Sequence, residues 1–147
     1  TLSLAESCTG GLIGHRLTSG SGSSVYFERG AVVYSDRSKV EMLGVHQHTL
    51  DTYGAVSDQT AREMAEGIRR SAKTDMGLAV TGIAGPLGGS KMKPVGTVFI
   101  GLSAGSSLFS GQYCFPGDRQ SVKVATAEMA LDWVRRYVHG HPFIPGI

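Results

Sequence analysis

The sequence predicts an α/β domain built on a mixed, mostly parallel sheet of about five strands. Five apolar runs long enough for buried strands alternate with helical patterns along the chain, which is typical of layered α/β domains. The last two runs are joined by a connection too short for a crossover helix, so we expect that pair to be antiparallel. With 147 residues, of which 41% are hydrophobic, the chain is long enough for one domain with its own core.

The predicted strands are apolar runs bounded by polar or turn-forming residues. They cover residues 2–5, 31–34, 76–80, 97–102 and 108–115. Residues 101–107 contain the short connection between the last two strands, which is predicted to be a hairpin.

Helical patterns fall between these strands. The clearest covers residues 57–72, where Ser57 can cap the helix and Asp58 suits its positive end. A second helix is predicted from Asp118 to the break at Gly140 and Pro142. Its expected apolar stripe consists of Val122, Ala125, Met129, Trp133 and Tyr137. Shorter helices are expected after Thr9 and after Ser35.

Composition and charge exclude several classes of protein. No apolar run approaches the roughly 20 residues that cross a bilayer, and residues 1–8 lack the basic start of a signal peptide. The two cysteines are far apart and the histidine pairs have no third ligand in phase, so no metal site is expected. A net charge of +2 is too small for a nucleic-acid footprint. We therefore expect a cytoplasmic protein without nucleic-acid or membrane partners.

The 21 glycines cluster near strand ends, which indicates a small-molecule site. Residues 6–11 lie where a strand turns into a helix, and free N–H groups at such a junction favour an anion. Ser7 or Thr9 can equally be a simple helix cap, and Cys8 is expected to be an unreactive buried thiol. Residues 20–24 form either a substrate loop or a surface turn capped by a serine.

Three further features are candidates for a catalytic or ligand-binding role. Lys39 falls in the first turn of a predicted helix, where the macrodipole and burial lower an amine's pKa; a solvated lysine of ordinary pKa is the alternative. Residues 81–94 form a long glycine-rich loop that has neither a P-loop nor a dinucleotide-binding pattern, and such loops are usually functional or disordered. Arg119 begins the last helix and is suited to gripping a phosphate, unless it is merely an exposed neighbour of a capping Asp118.

Taken together, the motifs of this sequence resemble those of the CinA C-terminal domain family over about residues 1–138. They are AESCTGG (5–11), GSS (22–24), YSDRSK (34–39), LGV (43–45), GAVS (54–57), TGIAGPLGG (81–89), KPVGTV (93–98) and FPGDR (115–119). The resemblance implies a three-layer α/β/α domain, here spanning residues 1–147, and we expect an N-terminal helix to precede its first strand. It also implies nicotinamide mononucleotide (NMN) amidohydrolase activity, without a metal or cofactor, in pyridine nucleotide salvage.

The resemblance assigns roles to matching residues. Ser24 is expected to be the nucleophile, Lys39 its base and Tyr34 an orienting group, with Ser7 as the competing nucleophile. The expected substrate-binding residues are Thr9, Gly10, Thr81, Gly82, Ala84, Gly85 and Arg119. Arg119 would hold the 5′-phosphate.

One departure from the family pattern concerns the base. Asp36 replaces an Asn common in the family, and its negative charge near Lys39 would raise the amine's pKa. A non-catalytic nucleotide-binding or assembly module of the competence/damage-inducible type is therefore the alternative function. A small domain with edge strands is also expected to form a homo-oligomer.

Overall fold

The computed structural model describes residues 1–143 and places five strands and five α-helices in that range. The strands are β1 (Leu2–Glu6), β2 (Phe27–Val32), β3 (Met76–Gly82), β4 (Thr97–Ala104) and β5 (Ser107–Cys114). The helices are α1 (Leu12–Thr18), α2 (Asp36–Leu43), α3 (Gln47–Tyr53), α4 (Asp58–Ala72) and α5 (Arg119–Val138), with a 3₁₀ turn at Ser23–Val25. All four predicted helices and four of the five predicted strands are confirmed, whereas β2 begins four residues before the start and ends two residues before the end of the predicted strand 31–34. Only α3 was not predicted.

The five strands form one sheet in the order β2-β1-β3-β4-β5. β1 pairs in parallel with β2 and β3, whereas the β3–β4 and β4–β5 pairs are antiparallel. The sheet is mixed, as predicted, but the expectation that it is mostly parallel was wrong. The reason lies in the glycine-rich loop, which joins β3 to β4 without a crossover helix, so β4 must run back beside β3.

Each face of the sheet carries its own hydrophobic core, which gives three layers. Leu2 and Leu4 point into a core shared with α1 and α5, where Trp133 is buried. Ala5 points to the opposite face, into a core shared with α2, α3 and α4. This alternation along β1 is what a strand buried on both faces requires.

Helix α4 lies unusually close to the sheet because the strands below it carry glycines. A Cβ atom on Gly77 would lie 2.2 Å from the carbonyl oxygen of Ala65, and one on Gly101 would lie 2.4 Å from that of Ala61. The predicted cap is also present, since the Ser57 hydroxyl accepts a hydrogen bond from the main-chain N–H of Thr60.

Helix α5 begins one residue after its cap Asp118, but its buried stripe is rotated from the predicted one. Val122 and Trp133 are buried as expected, whereas Tyr137 is exposed. The other buried positions are Thr126, Ala127 and Ala130. The helix packs on both the sheet and α1, so its buried face is wider than a single stripe. Across residues 1–143, none of the helices is long and apolar enough to cross a membrane.

Candidate active site

A cleft of about 250 Å³ opens at the carboxyl ends of β1 and β3. The chain leaves β1 toward β2 on one side and leaves β3 toward β4 on the other, so the cleft lies where the connections diverge. This is the general position of ligand sites in open α/β sheets. The lining residues are Ser7, Cys8, Tyr34, Asp36, Lys39, Ala55, Val56, Thr81, Gly82, Ile83, Ala84, Gly85, Leu87, Gly88 and Arg119.

Lys39 lies in the wall of the cleft with only 1% of its surface exposed. Its Nζ is 2.9 Å from the carbonyl oxygen of Val33, 3.4 Å from that of Tyr34 and 3.3 Å from Ser7 Oγ. Ser35 fixes the position of the lysine because its hydroxyl caps α2 by accepting from the main-chain N–H of Ser38. The amine is therefore surrounded by two obligate acceptors and one hydroxyl.

The pKa of Lys39 is lowered from its ordinary value because burial disfavours the charged ammonium. The carboxylate of Asp36 opposes this change and raises the pKa, but burial is the larger effect. Both directions agree with the expectations from the sequence.

Ser7 follows β1 directly and is buried beside the lysine. Its main-chain N–H donates to the carbonyl of Val80 at 3.1 Å, which extends the pairing of β1 with β3 by one residue. The serine is therefore held at the carboxyl end of β1 rather than on a free loop.

Glu6, which the sequence analysis placed in the junction 6–11 without giving it a role, organises the turn that carries Ser7. Its buried carboxylate accepts from the hydroxyl of Thr9 at 2.6 Å and from the main-chain N–H groups of Ile13 and Gly14 at 2.9 and 3.0 Å. This carboxylate therefore caps α1, a role that was expected of Ser7 or Thr9. Thr9 and Gly10 do not line the cleft, because the Thr9 hydroxyl points to Glu6 instead.

Cys8 also lines the cleft, but its thiol is a poor nucleophile. Burial raises the pKa of the thiol to about 12. It is thus protonated at neutral pH, in agreement with the expectation of an unreactive thiol.

The structure does not bring Ser24 to Lys39 within one chain, which corrects the expected pairing. Ser24 is exposed in the 3₁₀ turn that precedes β2, and this turn lies at the amino ends of the strands, since the N–H of Leu2 donates to the carbonyl of Tyr26. Lys39 lies at the carboxyl ends. The intervening six-residue strand separates the two by roughly 20 Å.

Tyr34 contributes its main chain, rather than its phenol, to the lysine. The phenol is 58% exposed at the rim, where Arg119 Nη2 donates to its oxygen at 2.7 Å. Arg119 Nη1 donates to the carbonyl of Gly85, also at 2.7 Å. The guanidinium therefore ties the end of β2 to the glycine-rich loop across the mouth of the cleft.

The glycine-rich loop forms the wall opposite Lys39, and its predicted residues line the cleft. The Thr81 hydroxyl donates to the carbonyl of Ala55 at 2.8 Å and fixes a second wall segment, Ala55 and Val56, that sequence reasoning had not assigned to the site. Only glycine fits at positions 82 and 85, because a Cβ on Gly82 or Gly85 would lie within 2.7 Å of a valine side chain. Ala84 lies between them.

The donor set does not suit a metal ion. Within residues 1–143, no three His, Cys, Asp or Glu side chains are grouped closely enough to hold one.

Comparisons with known proteins place this geometry in a family. The family model described as the CinA C-terminal domain matches residues 1–138. A CinA-like protein of Syntrophus aciditrophicus is 58% identical over 94% of the chain, which spans only 33% of that relative's length. A competence/damage-inducible protein structure from Agrobacterium tumefaciens superimposes with a TM-score of 0.90 at 43% identity, covering 92% of this chain and 83% of that one.

A second solved structure, a competence damage-inducible protein of Klebsiella pneumoniae, gives a TM-score of 0.90 at 33% identity, covering 94% of this chain and 86% of that one. The family model spans nearly the whole chain, and the solved structures share its architecture. The chain therefore belongs to the CinA C-terminal domain family.

Proposed function

We propose that this domain hydrolyses the carboxamide of nicotinamide mononucleotide, releasing ammonia and nicotinate mononucleotide, with Ser7 as nucleophile and Lys39 as base. The observation that carries the proposal is the buried lysine amine 3.3 Å from a serine hydroxyl in the wall of a cleft. Family membership supports the same reaction class. Ser7 takes precedence over Ser24 because only Ser7 reaches the amine within one chain.

The hydrogen bonds of Lys39 fit an ammonium that donates to all three oxygens as well as a neutral amine acting as base, and burial shifts the balance toward the neutral form. A neutral amine has two N–H groups and one lone pair, which match the two carbonyl acceptors and the Ser7 hydroxyl. In this arrangement both N–H groups are used by main-chain oxygens and the lone pair accepts the serine proton. The lowered pKa makes this state accessible nearer to neutral pH.

The reaction then proceeds in balanced steps. Ser7 Oγ bonds to the carboxamide carbon as its proton passes to Lys39 Nζ. The resulting tetrahedral intermediate collapses when the C–N bond breaks, and the lysine returns the proton to the departing ammonia. Water hydrolyses the remaining ester by the same route, which regenerates the serine and releases the carboxylate.

The oxyanion of the intermediate requires donors close to Ser7. In the part of the chain that the structure describes, no main-chain carbonyl accepts from the N–H of Cys8 or of Ala84, and both residues line the cleft; the Cys8 N–H interacts with its own thiol. We assign these groups to the developing negative charge, which such donors stabilise by about 3 kcal/mol each.

Arg119 supports recognition of a phosphorylated substrate. Its guanidinium carries five N–H donors, of which two are used by Tyr34 and Gly85. The remaining donors lie at the mouth of the cleft, where the 5′-phosphate would emerge when the carboxamide is next to Ser7.

Ammonia release from NMN tests the proposal. We expect wild-type protein to be active and Ser7→Ala and Lys39→Met to lower kcat by at least about 100-fold. Ser106→Ala, in the exposed β4–β5 turn, and Lys123→Met, on α5, are matched controls that should retain activity. Circular dichroism would establish that all four variants are folded.

Two outcomes would overturn this assignment. Normal turnover in Ser7→Ala together with loss in Ser24→Ala would transfer the nucleophile to Ser24. Calorimetric binding of NMN without any ammonia release would instead favour the alternative, a nucleotide-binding module.

A further inference from the structure

Asp36 presents a carboxylate to the cleft. Among residues 1–143 it is the one Asp or Glu in the cleft wall, and it is exposed there. No hydrogen bond or ion pair in the same range holds its carboxylate, whereas the neighbouring cation Arg37 pairs with Glu41 at 2.7 Å. Glu6, the carboxylate next to Ser7 in the chain, is turned into the fold and caps α1. The cleft therefore contains one carboxylate that is open to a ligand.

The charge of Asp36 lies on the same side of the cleft as the lysine. Asp36 and Lys39 are three residues apart on α2, which places them on one face of the helix. The carboxylate is close enough to raise the pKa of the amine. Arg119 is the cation at the mouth of the cleft. When Lys39 is neutral, as base catalysis requires, the charged groups in the wall among residues 1–143 are this carboxylate and this guanidinium.

NMN has the complementary pattern of charge. Its nicotinamide ring is a pyridinium, so a positive charge lies on the ring that carries the carboxamide, and the 5′-phosphate at the other end is negative. With the carboxamide next to Ser7 and the phosphate near Arg119, the ring lies on the side of Asp36. A carboxylate that faces a cation partly shielded from water favours the binding of that cation.

We propose that Asp36 is a specificity-determining residue that selects substrates whose carboxamide is attached to a cationic ring. This role of Asp36 rests on the proposed function, since it takes NMN as the occupant of the cleft. The matched ligand is the 1,4-dihydro form of NMN, which has the same carboxamide, ribose and phosphate but an uncharged ring. Because the two ligands are nearly equal in size, comparing them isolates the charge of the ring.

A purely structural role of Asp36 would not distinguish the two ligands. An acidic residue in the first turn of α2 also suits the positive end of that helix. This contribution stabilises the helix equally whichever ligand is bound. A change in the affinity for one ligand only therefore separates substrate selection from helix stabilisation.

Calorimetry with Lys39→Met chains tests the role of Asp36. In this background NMN is not hydrolysed, and no lysine charge can respond to a change at position 36. Adding Asp36→Asn should weaken NMN binding about 3- to 5-fold, as expected for a partly screened ion pair, and leave the affinity for the dihydro form unchanged. Glu41→Gln in the same background is the matched control, because Glu41 lies on the same helix but outside the cleft. Both affinities should stay the same in that control.

Ser7→Ala is the second background, for use if Lys39→Met does not fold. There the loss of the Asp36 charge also lowers the pKa of Lys39, and a neutral amine repels the pyridinium less than an ammonium does. The lysine would therefore tighten NMN binding, so a weakening still reports the carboxylate. Equal changes for the two ligands, or no change for NMN, would overturn the role of Asp36.

The outcomes also distinguish this role from the amidase activity. Ammonia release from NMN by wild-type protein, without ligand discrimination at position 36, would keep the amidase and remove Asp36 from substrate selection. Selective weakening of NMN binding by Asp36→Asn, without ammonia release by wild-type protein, would keep the role of Asp36 and favour a nucleotide-binding module. Failure of wild-type protein to bind NMN would overturn both.

Discussion

Burial and a neighbouring carboxylate change the pKa of Lys39 in opposite directions. Burial against β2 lowers the pKa of the amine, and the Asp36 carboxylate one helical turn earlier raises it. A catalytic base in this position works only in its neutral form. The rate at a given pH therefore depends on how far burial outweighs the carboxylate.

The pH dependence of kcat/KM should report this balance. We expect the rate to rise with pH through the pKa of Lys39 and to level off below the ordinary lysine value of about 10.4. Asp36→Asn removes the charge that raises the pKa, so the rise should move to lower pH. Glu41→Gln, an exposed carboxylate on the same helix, is the control and should leave the profile in place. An unmoved profile in Asp36→Asn would show that another group titrates.

The pH dependence of the free energy of unfolding should also report the pKa of Lys39. Below the native pKa of Lys39, the native and unfolded states both bind the proton and the buried ammonium destabilises the fold. Between that pKa and about 10.4, the unfolded chain binds more protons, so rising pH favours the native state by about 1.4 kcal/mol per pH unit. Urea unfolding of wild type and Lys39→Met should therefore diverge in favour of wild type as pH rises through this window. Lys123→Met should parallel the wild-type curve, and a pH-independent difference for Lys39→Met would contradict a depressed pKa.

At the scale of elements, the close approach of α4 to the sheet holds the second wall of the cleft. Residues 55–56 precede this helix, and its capping Ser57 and the Thr81 bond to Ala55 fix them over β3. The approach depends on the glycines beneath the helix, since a side chain there would push α4 outward.

Gly101→Ala tests this packing. Its added Cβ would lie 2.4 Å from the carbonyl of Ala61, so we expect a loss of about 2–3 kcal/mol in the free energy of unfolding. Gly20→Ala is the matched control, because its Cβ would lie 3.6 Å from the carbonyl oxygen of Leu17, which is an ordinary van der Waals distance. Urea denaturation compares the two variants. Equal free energies of unfolding in the two variants would mean that α4 moves away from the added methyl group without loss of stability.

Periodicity and caps were sufficient to predict the elements but not all of the site. Ser57 and Asp118 mark their helices by local chemistry, which is why those helices were predicted with starts within a residue of the observed ones. Lys39 and Ser7 lie 32 residues apart, and their contact follows from the parallel pairing of β1 with β2, which no local pattern encodes. The role of Glu6 was missed for a similar reason, since a carboxylate that ends a strand gives no sign that it caps the next helix. The rotated face of α5 depends on α1, a tertiary contact.

At the scale of the whole molecule, Arg119 connects three distant parts of the chain at the mouth of the cleft. It begins α5, donates to the glycine-rich loop 34 residues earlier and to the phenol of Tyr34, 85 residues earlier. The C-terminal helix, which packs under the sheet, thereby reaches the substrate side of the fold. If Arg119 only held the mouth of the cleft in shape, replacing it would weaken the binding of all substrates equally. If Arg119 bound the phosphate, replacing it would weaken the binding of phosphorylated substrates only.

Arg119→Met separates these roles. If the guanidinium binds the 5′-phosphate, KM for NMN should rise about 10- to 100-fold, as expected for a lost charge-assisted bond of about 1.5–3 kcal/mol. KM for nicotinamide riboside, which lacks the phosphate, should change little. Arg135→Met, on the same helix but paired with Asp132 away from the cleft, should leave both values unchanged. Equal increases for the two substrates would instead assign Arg119 to holding Tyr34 and the loop together, with the phosphate bound elsewhere.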